Sequence, residues 1–346
     1  MNRLTLGTTG IDVSAWCLGT MTWGRQTATE DAHAQIDRAL DAGIDFLDTA
    51  EMYPVNPVLS ETVGVTETII GEWIARTGGR DRMVLATKCT GPSGLVRDNT
   101  PITPDVLRTA LDASLKRLQS DHVDLYQLHW PNRGSYHFRQ NWDYDPSGQD
   151  RDAAADNIAA LMETLGELRD AGKIRAFGLS NDTAWGIARW SAEARSRNGP
   201  EIATVQNEYS LLCRLFDTDL AEACHHERVT CLAYTPLAAG LLTGKYQGGA
   251  VPDASRMVNN PDLGGRKTDR AFDAVDAYLD IASRHGIDPV HMALAFCRSR
   301  PVETIPIIGA TDIAQLDHML GGTDLTLDAE VLDEIAAAHR AHPMPY

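Results

Sequence analysis

Short apolar runs rich in β-branched residues alternate along the chain with longer segments whose apolar residues recur at helical spacing. The short runs predict eight strands, and the longer segments predict helices. The predicted strands are Val13–Leu18, Asp45–Asp48, Met83–Thr87, Val123–His129, Ile174–Leu179, Ala203–Gln206, Thr230–Thr235 and Thr304–Ile308. The predicted helices include Asp31–Ala42, Thr66–Arg76, Thr103–Leu118, Ala153–Ala171, Ile313–Met319 and Asp328–His339.

This alternation predicts an α/β protein with a parallel sheet, because each crossover helix returns the chain to the same end of the sheet. Eight such units without a linker or a break in composition favour one domain over residues 1–346, a closed (β/α)8 TIM barrel. An open doubly wound sheet is the alternative. That fold usually carries a G-x-G-x-x-G turn after its first strand, and the sequence contains no such motif.

The first residues predict a small β-hairpin ahead of the barrel. Leu4–Leu6 and Ile11–Val13 would form its strands, with the turn near Gly10. In a barrel this hairpin would cap the N-terminal mouth, opposite the active site.

Two segments, Asn132–Arg151 and Gln247–Lys267, are too long for simple connections between a strand and a helix. The first contains four aromatic residues, which argue against disorder: Tyr136, Phe138, Trp142 and Tyr144. Because it leaves the strand that ends at His129, we expect it to form one wall of a substrate pocket.

Composition narrows the function and the compartment. The chain has 31 Lys and Arg residues against 48 Asp and Glu residues, a net charge of −17, which disfavours nucleic acids and anionic membrane surfaces. The N-terminus has no apolar stretch resembling a signal peptide. The six cysteines are scattered without a C-x-x-C pair, so we expect reduced thiols in a cytoplasmic protein. The sequence gives no sign of the oligomeric state.

Candidate catalytic residues follow three neighbouring strands. Catalytic groups of a (β/α)8 barrel lie at the C-terminal ends of its strands, and there the sequence places Asp48, Lys88 and His129. Tyr53 lies five residues beyond Asp48, on the loop that leaves the second strand. Each residue alone has an ordinary structural explanation: a strand-end aspartate often caps a helix, a lysine is often simply solvated, and a single histidine is often a polar residue with its hydrogen bonds satisfied. Their convergence on one rim favours a catalytic set.

The four residue types have a common chemistry. A phenol with a pKa of about 10 is a poor proton donor at neutral pH, and an adjacent ammonium stabilises the phenolate and is expected to lower that pKa. An aspartate keeps that ammonium charged and aimed, while a neutral histidine can donate a hydrogen bond to a substrate carbonyl oxygen. The set therefore fits protonation of an alkoxide formed as hydride reaches a carbonyl carbon. A cofactor must supply the hydride, because no side chain can.

Several segments resemble one enzyme family almost from end to end. They are LGTMTWG at residues 18–24, GIDFLDTAEMYP at residues 43–54, and then ATKCTGPS, DLYQLHWP, GKIRAFGLSN, LAYTPLAAGLLTGKY and IIGATDIAQL. Together they resemble the aldo-keto reductases, and most closely the bacterial Tas-like branch, which is related to the potassium-channel β subunits. The DTAEMY, TK and LHW segments at these spacings are highly specific in combination.

The resemblance implies site residues. The family's catalytic tetrad falls on Asp48, Tyr53, Lys88 and His129, with Tyr53 as general acid/base. The implied nicotinamide site comprises Thr20, Met21, Ser180, Asn181, Gln206 and the stacking ring of Tyr234. The implied pyrophosphate and adenosine contacts are Pro236, Leu237, Gly240, Lys245, Arg256, Gly309, Thr311 and Gln315. Two departures are His318 and Met319, which replace a Glu-Asn pair of relatives, and Asp312 beside the expected phosphate pocket.

These residues predict NADP(H) in preference to NAD(H). A 2′-phosphate needs cationic or multiple hydrogen-bonding partners, which Lys245, Arg256 and Thr311 can supply. Asp312 would oppose the phosphate if its side chain faced inward. It lies at the start of a predicted helix, where a capping role would direct its carboxylate toward backbone N–H groups instead.

The leading hypothesis is an NAD(P)H-dependent reductase of a small-molecule aldehyde or ketone. Trp23, Met52, Trp130, Trp142 and Tyr144 suggest an apolar, aromatic substrate pocket. The alternative is a redox-sensing regulatory module that holds the cofactor, as in the channel β subunits, although a pure sensor needs no proton relay. A metallohydrolase barrel ranks last, because it would need clustered His and Asp ligands at strand ends. We therefore expect no metal.

Overall fold

The computed structural model describes residues 1–346 and contains a closed barrel of eight parallel strands preceded by a β-hairpin. The hairpin strands are β1 (Arg3–Thr5) and β2 (Asp12–Ser14). The barrel strands are β3 (Cys17–Gly19), β4 (Phe46–Asp48), β5 (Val84–Cys89), β6 (Val123–Leu128), β7 (Ile174–Ser180), β8 (Ile202–Glu208), β9 (Thr230–Tyr234) and β10 (Thr304–Ile308). They pair in chain order, and β10 closes the barrel against β3. The predicted (β/α)8 fold is confirmed.

Helices lie between and after the strands. They are α1 (Thr29–Asp41), α2 (Val65–Thr77), α3 (Gly94–Arg97), α4 (Pro104–Leu118), α5 (Arg151–Asp170), α6 (Ala184–Arg197), α7 (Asp219–Glu227), α8 (Arg256–Asn259), α9 (Asp269–Arg284), α10 (Pro289–Arg298), α11 (Ile313–Leu320) and α12 (Ala329–Ala341). Side-chain caps fix several starts. Thr103 caps α4 through the N–H of Val106, with Pro104 at the first helical position. No helix in the structure combines the length and the apolarity needed to span a membrane.

The hairpin closes the N-terminal end of the barrel, as predicted. Its residues Leu6, Ile11 and Val13 are buried with strand residues of the barrel interior, including Phe46 and Leu125. Gly7 allows this close approach, because a Cβ there would come within 2.9 Å of the carbonyl oxygen of Ala203. Its φ of +50° also favours glycine.

The first predicted strand, Val13–Leu18, requires correction. Val13 and Ser14 belong to hairpin strand β2, and the first barrel strand begins only at Cys17. The apolar pattern is continuous because both parts are buried, one under the hairpin and the other in the barrel wall. The other predicted strands and helices agree with the structure to within about two residues, the usual scatter of helix ends.

Candidate active site

The predicted proton-transfer groups meet at the C-terminal rim of the barrel. Lys88 Nζ donates to Asp48 Oδ2 over 2.6 Å and to the carbonyl oxygen of Thr49 over 2.7 Å. The same nitrogen lies 3.5 Å from the hydroxyl oxygen of Tyr53. The side chains of Lys88 and Asp48 are 0% and 3% exposed, so the two charges depend mainly on each other and on the protein for their partners. Lys88 thereby connects the carboxylate to the phenol.

The loop that carries Tyr53 is held by a partly buried ion pair that no sequence motif indicated. The backbone N–H of Glu51 donates to the carbonyl oxygen of Lys88 over 3.2 Å. The Glu51 carboxylate accepts from the backbone N–H of Thr90 over 2.9 Å and pairs with Arg97. These contacts attach the Tyr53 loop to the end of β5, which carries Lys88. The spacing of the DTAEMY segment indicated Tyr53 but not this support.

Burial and neighbouring charges set the protonation of the three titrating groups. The expected lowering of the Tyr53 pKa is wrong: burial raises this pKa by more than Lys88 lowers it, so the phenol stays protonated at neutral pH. Burial disfavours the charge of Lys88, but Asp48 and Tyr53 outweigh burial and raise the pKa of Lys88. Burial, assisted by the charge of Lys88, holds the pKa of His129 well below its ordinary value. The rim therefore presents a neutral phenol, a charged ammonium and a neutral imidazole.

His129 lies beside Tyr53 with its ring free of hydrogen bonds to the protein. The two ring centroids are 5.8 Å apart in an edge-on arrangement. Nδ1 of His129 is buried without a partner. The backbone carbonyl of His129 accepts from Asn181 Nδ2 over 2.9 Å, which connects the residue to the end of β7. A carbonyl group next to Tyr53 would therefore also have an imidazole within reach.

The predicted nicotinamide residues form an amide network on the far side of Asp48. Ser180 donates to the carbonyl oxygen of Gln206 over 2.8 Å, and Asn181 Nδ2 lies 3.1 Å from Ser180 Oγ. The hydroxyl of Tyr234 donates to Asn181 Oδ1. Gln206 Nε2 donates to Asp48 Oδ1 over 2.9 Å. The amide residues and the acid/base residues thus share the Asp48 carboxylate.

A cavity of about 710 Å³ opens above these groups, in the size range of small-molecule sites. Of the residues predicted for catalysis, Asp48, Tyr53 and His129 line it, while Lys88 is buried beneath. Seven of the residues predicted to contact the cofactor also line the cavity: Thr20, Met21, Asn181, Gln206, Tyr234, Arg256 and Gly309. Met52 and Trp130 line the same space, as predicted for a substrate pocket.

A cation without a counter-charge faces this cavity. Arg256, at the start of α8, lines the cavity and has no ion-pair partner. Burial, assisted by the neighbouring charge of Arg266, lowers the pKa of Arg256 to about 10. An unpaired guanidinium at a cavity wall is suited to an anionic ligand, because it can offer charge-assisted hydrogen bonds to it.

Comparison with known proteins assigns the family. Residues 15–340 match the model of the Aldo/keto reductase family. The chain belongs to the aldo/keto reductase family. It is 43% identical over 343 residues to "Protein tas" of Escherichia coli, covering 97% of this chain and 96% of that protein. It is 34% identical to the "Uncharacterized oxidoreductase YrpG" of Bacillus subtilis, and the match covers 94% of this chain and 92% of that protein. It is 28% identical to the "Norsolorinic acid reductase stcV" of Emericella nidulans, and that match covers 94% of this chain and 78% of the relative. The family makes this protein an oxidoreductase.

Other predicted cofactor residues of this aldo-keto reductase lie outside the lining of the cavity. They are Ser180, Pro236, Leu237, Gly240, Lys245, Thr311 and Gln315. Ser180 is buried and its hydroxyl is engaged with Gln206. Lys245 is exposed, with its ammonium 5.2 Å from the centroid of the Tyr246 ring and its side chain against Gly240.

Asp312 caps a helix and does not point freely into the expected phosphate pocket. Its Oδ1 accepts from the backbone N–H of Gln315 over 2.9 Å at the start of α11. Gln315 Nε2 in turn donates to Asp312 Oδ2 and to Thr311 Oγ1, over 2.8 and 2.7 Å. Further along α11, His318 pairs with Asp288 and Met319 is buried.

Three residues predicted for the substrate pocket lie elsewhere. Trp23 is fully buried, and its indole N–H donates to Gln35 over 3.3 Å, so it packs in the core. Trp142 is 52% exposed, with its ring 5.1 Å from the guanidinium carbon of Arg270. Tyr144 packs edge-on against Tyr136, outside the cavity lining. Aromatic residues pack in cores and against loops as readily as they line ligand pockets, so the sequence could not show which of these aromatic residues face the cavity.

A buried ion cluster beside the cavity was not predicted. Glu208 ends β8 and accepts from Arg139 over 2.9 Å and from Arg266 over 2.7 Å. Burial opposes ionisation of Glu208, but the two guanidiniums outweigh it and lower the pKa of Glu208. The hydroxyl of the C-terminal residue Tyr346 lies 3.3 Å from the same carboxylate. Arg139 and Arg266 both line the cavity and come from the two long loops, so Glu208 ties these loops to the barrel.

Proposed function

We propose that this aldo-keto reductase uses NADPH to reduce the carbonyl group of a small aldehyde or ketone to an alcohol. The observation that carries the proposal is the position of Lys88 Nζ between the Asp48 carboxylate and the Tyr53 hydroxyl, beside the unpartnered imidazole of His129. The intact set of proton-transfer groups favours turnover over a purely regulatory role.

The residues of the cavity fit a nicotinamide dinucleotide. Gln206 and Asn181 supply amide groups close to the catalytic tyrosine, and Tyr234 supplies a ring. Arg256 supplies an unpaired cation for a phosphate. When bound there, the cofactor supplies the hydride that adds to the carbonyl carbon.

The chain's own residues complete the reaction. The imidazole of His129 can donate a hydrogen bond to the substrate carbonyl oxygen, which positions it beside Tyr53. Tyr53 gives its proton to that oxygen as negative charge develops there. The Lys88 ammonium stabilises the resulting phenolate, and Asp48 holds the ammonium in place. Tyr53 then regains a proton from water, so the products are an alcohol and the oxidised cofactor.

The preference for NADPH rests on Arg256 and on the capping role of Asp312. An unpaired guanidinium favours the extra phosphate of NADPH, while capping of α11 directs the Asp312 carboxylate toward backbone N–H groups. We expect NADPH to bind at least about tenfold more tightly than NADH, the effect of one charge-assisted contact. Arg256→Gln should reduce this difference, and Asp312→Asn, which keeps a capping side chain, should change it little.

Fluorescence titration of both cofactors against wild type and the two variants tests the preference. A panel of aldehydes and ketones with each cofactor, followed by loss of cofactor absorbance, tests the reaction. Tighter binding of NADH by wild type would disprove the preference. A large gain in NADPH affinity in Asp312→Asn would show that the carboxylate faces the phosphate. Absence of turnover with every carbonyl, despite cofactor binding, would contradict the reductase.

A further inference from the structure

Gln127 is a fully buried side chain of β6 that lies between the two halves of the site. Its Nε2 donates to Asp48 Oδ1 over 2.9 Å, and its Oε1 accepts from Gln206 Nε2 over 3.2 Å. Gln127 is level with Lys88 in the barrel, because the two residues are register partners on β5 and β6. It therefore contacts the carboxylate that holds Lys88 and the amide that lines the cavity.

The charge of Asp48 determines which way both glutamine amides point. A carboxylate can only accept hydrogen bonds, so each amide must present its NH₂ group to it. Gln127 then has its oxygen directed at Gln206. The NH₂ group of Gln206 is used twice, once by Asp48 and once by Gln127. This leaves the side-chain amide oxygen of Gln206, Oε1, without a protein partner at the wall of the cavity.

Glycine at position 178 provides room for this arrangement. Gly178 lies on β7, between Gln127 on β6 and Thr204 on β8. A Cβ at position 178 would lie 2.2 Å from Thr204 Oγ1 and 3.4 Å from Gln127 Cγ. A side chain there would therefore crowd the space through which Gln127 reaches across the barrel to Gln206.

We propose that Gln127 is a positioning residue that fixes the Gln206 amide from the side of the Asp48–Lys88 pair, so that the cavity presents a carbonyl oxygen to an N–H donor. In the proposed function, on which this inference rests, that donor is the carboxamide NH₂ of the nicotinamide ring. The same contact orients Asp48 toward Lys88. Gln127 thus connects cofactor recognition to the proton-transfer groups without touching cofactor or substrate.

Replacement of the amide by an apolar side chain of similar length tests the connection. In Gln127→Met, Gln206 loses the acceptor that fixes its amide, and Asp48 loses one donor. We expect the dissociation constant for NADPH to rise about tenfold, as for loss of one well-placed hydrogen bond in a buried site. The rise should be the same from about pH 5.5 to about pH 9, because methionine does not titrate.

Gln127→Glu distinguishes hydrogen bonding from packing, because a role in packing alone would not make the NADPH affinity of this variant depend on pH. A protonated carboxyl group can donate to Asp48 and accept from Gln206, as the amide does. An ionised one cannot donate and repels Asp48. Burial and the negative charge of Asp48 both favour the protonated form of the introduced carboxyl group, whereas the positive charge of Lys88 favours its ionised form. The other titratable groups near Asp48 are Tyr53 and Cys17. We expect NADPH affinity close to wild type at the acid end of the range, falling as the introduced carboxyl ionises.

Gln35→Met and Gln35→Glu are matched controls, because Gln35 is also fully buried but lies against Trp23, outside the cavity lining. Their NADPH affinity should follow wild type at every pH. The inference is supported if Gln127→Met binds weakly and Gln127→Glu recovers at acid pH. Wild-type affinity in Gln127→Met, or no recovery in Gln127→Glu, overturns it while leaving the proposed function intact. A wild type that binds neither nicotinamide cofactor overturns both.

Discussion

At the scale of single residues, Tyr53 carries the proposed chemistry because two opposing effects act on one phenol. Burial raises its pKa, which keeps the proton on the oxygen at neutral pH. The Lys88 ammonium, 3.5 Å away, stabilises the phenolate once the proton has left. The residue is therefore an acid that releases its proton only to a strong base, such as an alkoxide at the neighbouring carbonyl.

The pH dependence of turnover should show this role. Reduction needs the protonated phenol, so the rate should be level through neutral pH and fall only as the pH rises past the usual tyrosine value of about 10. Alcohol oxidation needs the phenolate and should instead increase with pH. Both are measured as kcat over a range from about pH 6 to about pH 11.

Tyr53→Phe should lower kcat by at least about 10²-fold, as for loss of general acid catalysis, and leave the dissociation constant for NADPH nearly unchanged. Tyr246→Phe is the matched control, because the Tyr246 hydroxyl is buried without a partner. Turnover like wild type in Tyr53→Phe would rule out the proposed mechanism.

At the scale of elements, the long connection after β6 divides into an inner and an outer part. The inner part is tied to the end of β7: Ser135 donates to the carbonyl oxygen of Asn181 over 2.8 Å, and Arg133 pairs with Asp182. Phe138 has a φ of +60° and packs edge-on against Trp130, which directs it to the cavity. The outer part, residues 142–148, is mostly exposed.

We expect Phe138→Ala to change which carbonyl substrates are preferred, because it removes an aromatic wall beside Trp130. The loss of a partly buried aromatic contact should alter the kcat/KM ratio between aromatic and small aliphatic aldehydes by about tenfold. The dissociation constant for NADPH should stay within about twofold, since no cofactor contact is removed.

Replacement of residues 142–148 by a short Gly-Ser linker is the control and should change neither quantity. If instead Phe138→Ala weakened cofactor binding and left the substrate ratio unchanged, the inner loop would belong to the cofactor site.

At the scale of the whole molecule, the ion cluster around Glu208 joins four distant parts of the chain. Arg139 and Arg266 come from the two long loops, Glu208 from the barrel, and Tyr346 from the C-terminus. Thr268 adds a second contact to this tail, by donating to the carbonyl oxygen of Pro345 over 2.5 Å. Through Arg139 and Arg266, the cluster forms part of the cavity wall from side chains that are far apart in sequence.

Glu208→Gln should lower the melting temperature, because it leaves the buried guanidinium of Arg266 and the half-buried one of Arg139 without this counter-charge. Removal of one partner of a buried ion pair typically costs about 3 kcal/mol or more. The pKa of Glu208 is below its usual value, so its ionised form stabilises the fold at neutral pH, and this contribution is lost as the pH falls through the folded-state pKa.

The difference in melting temperature between wild type and Glu208→Gln should therefore be largest at neutral pH and shrink in strong acid. Glu72→Gln, at an exposed position of α2, is the control and should melt like wild type. Equal melting temperatures for all three proteins at neutral pH would mean that the cluster contributes no net stability.

The sequence by itself determined the barrel and the residues at its strand ends. Strand periodicity and the alternation with helices define the parallel barrel, and parallel strands bring their C-terminal ends to one rim. Asp48, Lys88 and His129 could therefore be placed together before any contact was known. One helix cap could also be predicted: Asp312 caps its helix as its position indicated, because a cap depends only on the next three residues.

The tertiary structure alone decided which side chains support these groups and which aromatics face the cavity. Gln206 meets Asp48 across 158 positions, and Tyr346 meets Glu208 across 138. No local pattern encodes such pairings, since the first depends on which strands face each other across the barrel and the second on how the C-terminal segment folds back onto it. Trp23 and Trp130 are equally apolar in sequence, yet one packs in the core and the other lines the cavity. Periodicity fixes where a strand ends, whereas the direction of a loop side chain is fixed only by what packs against it.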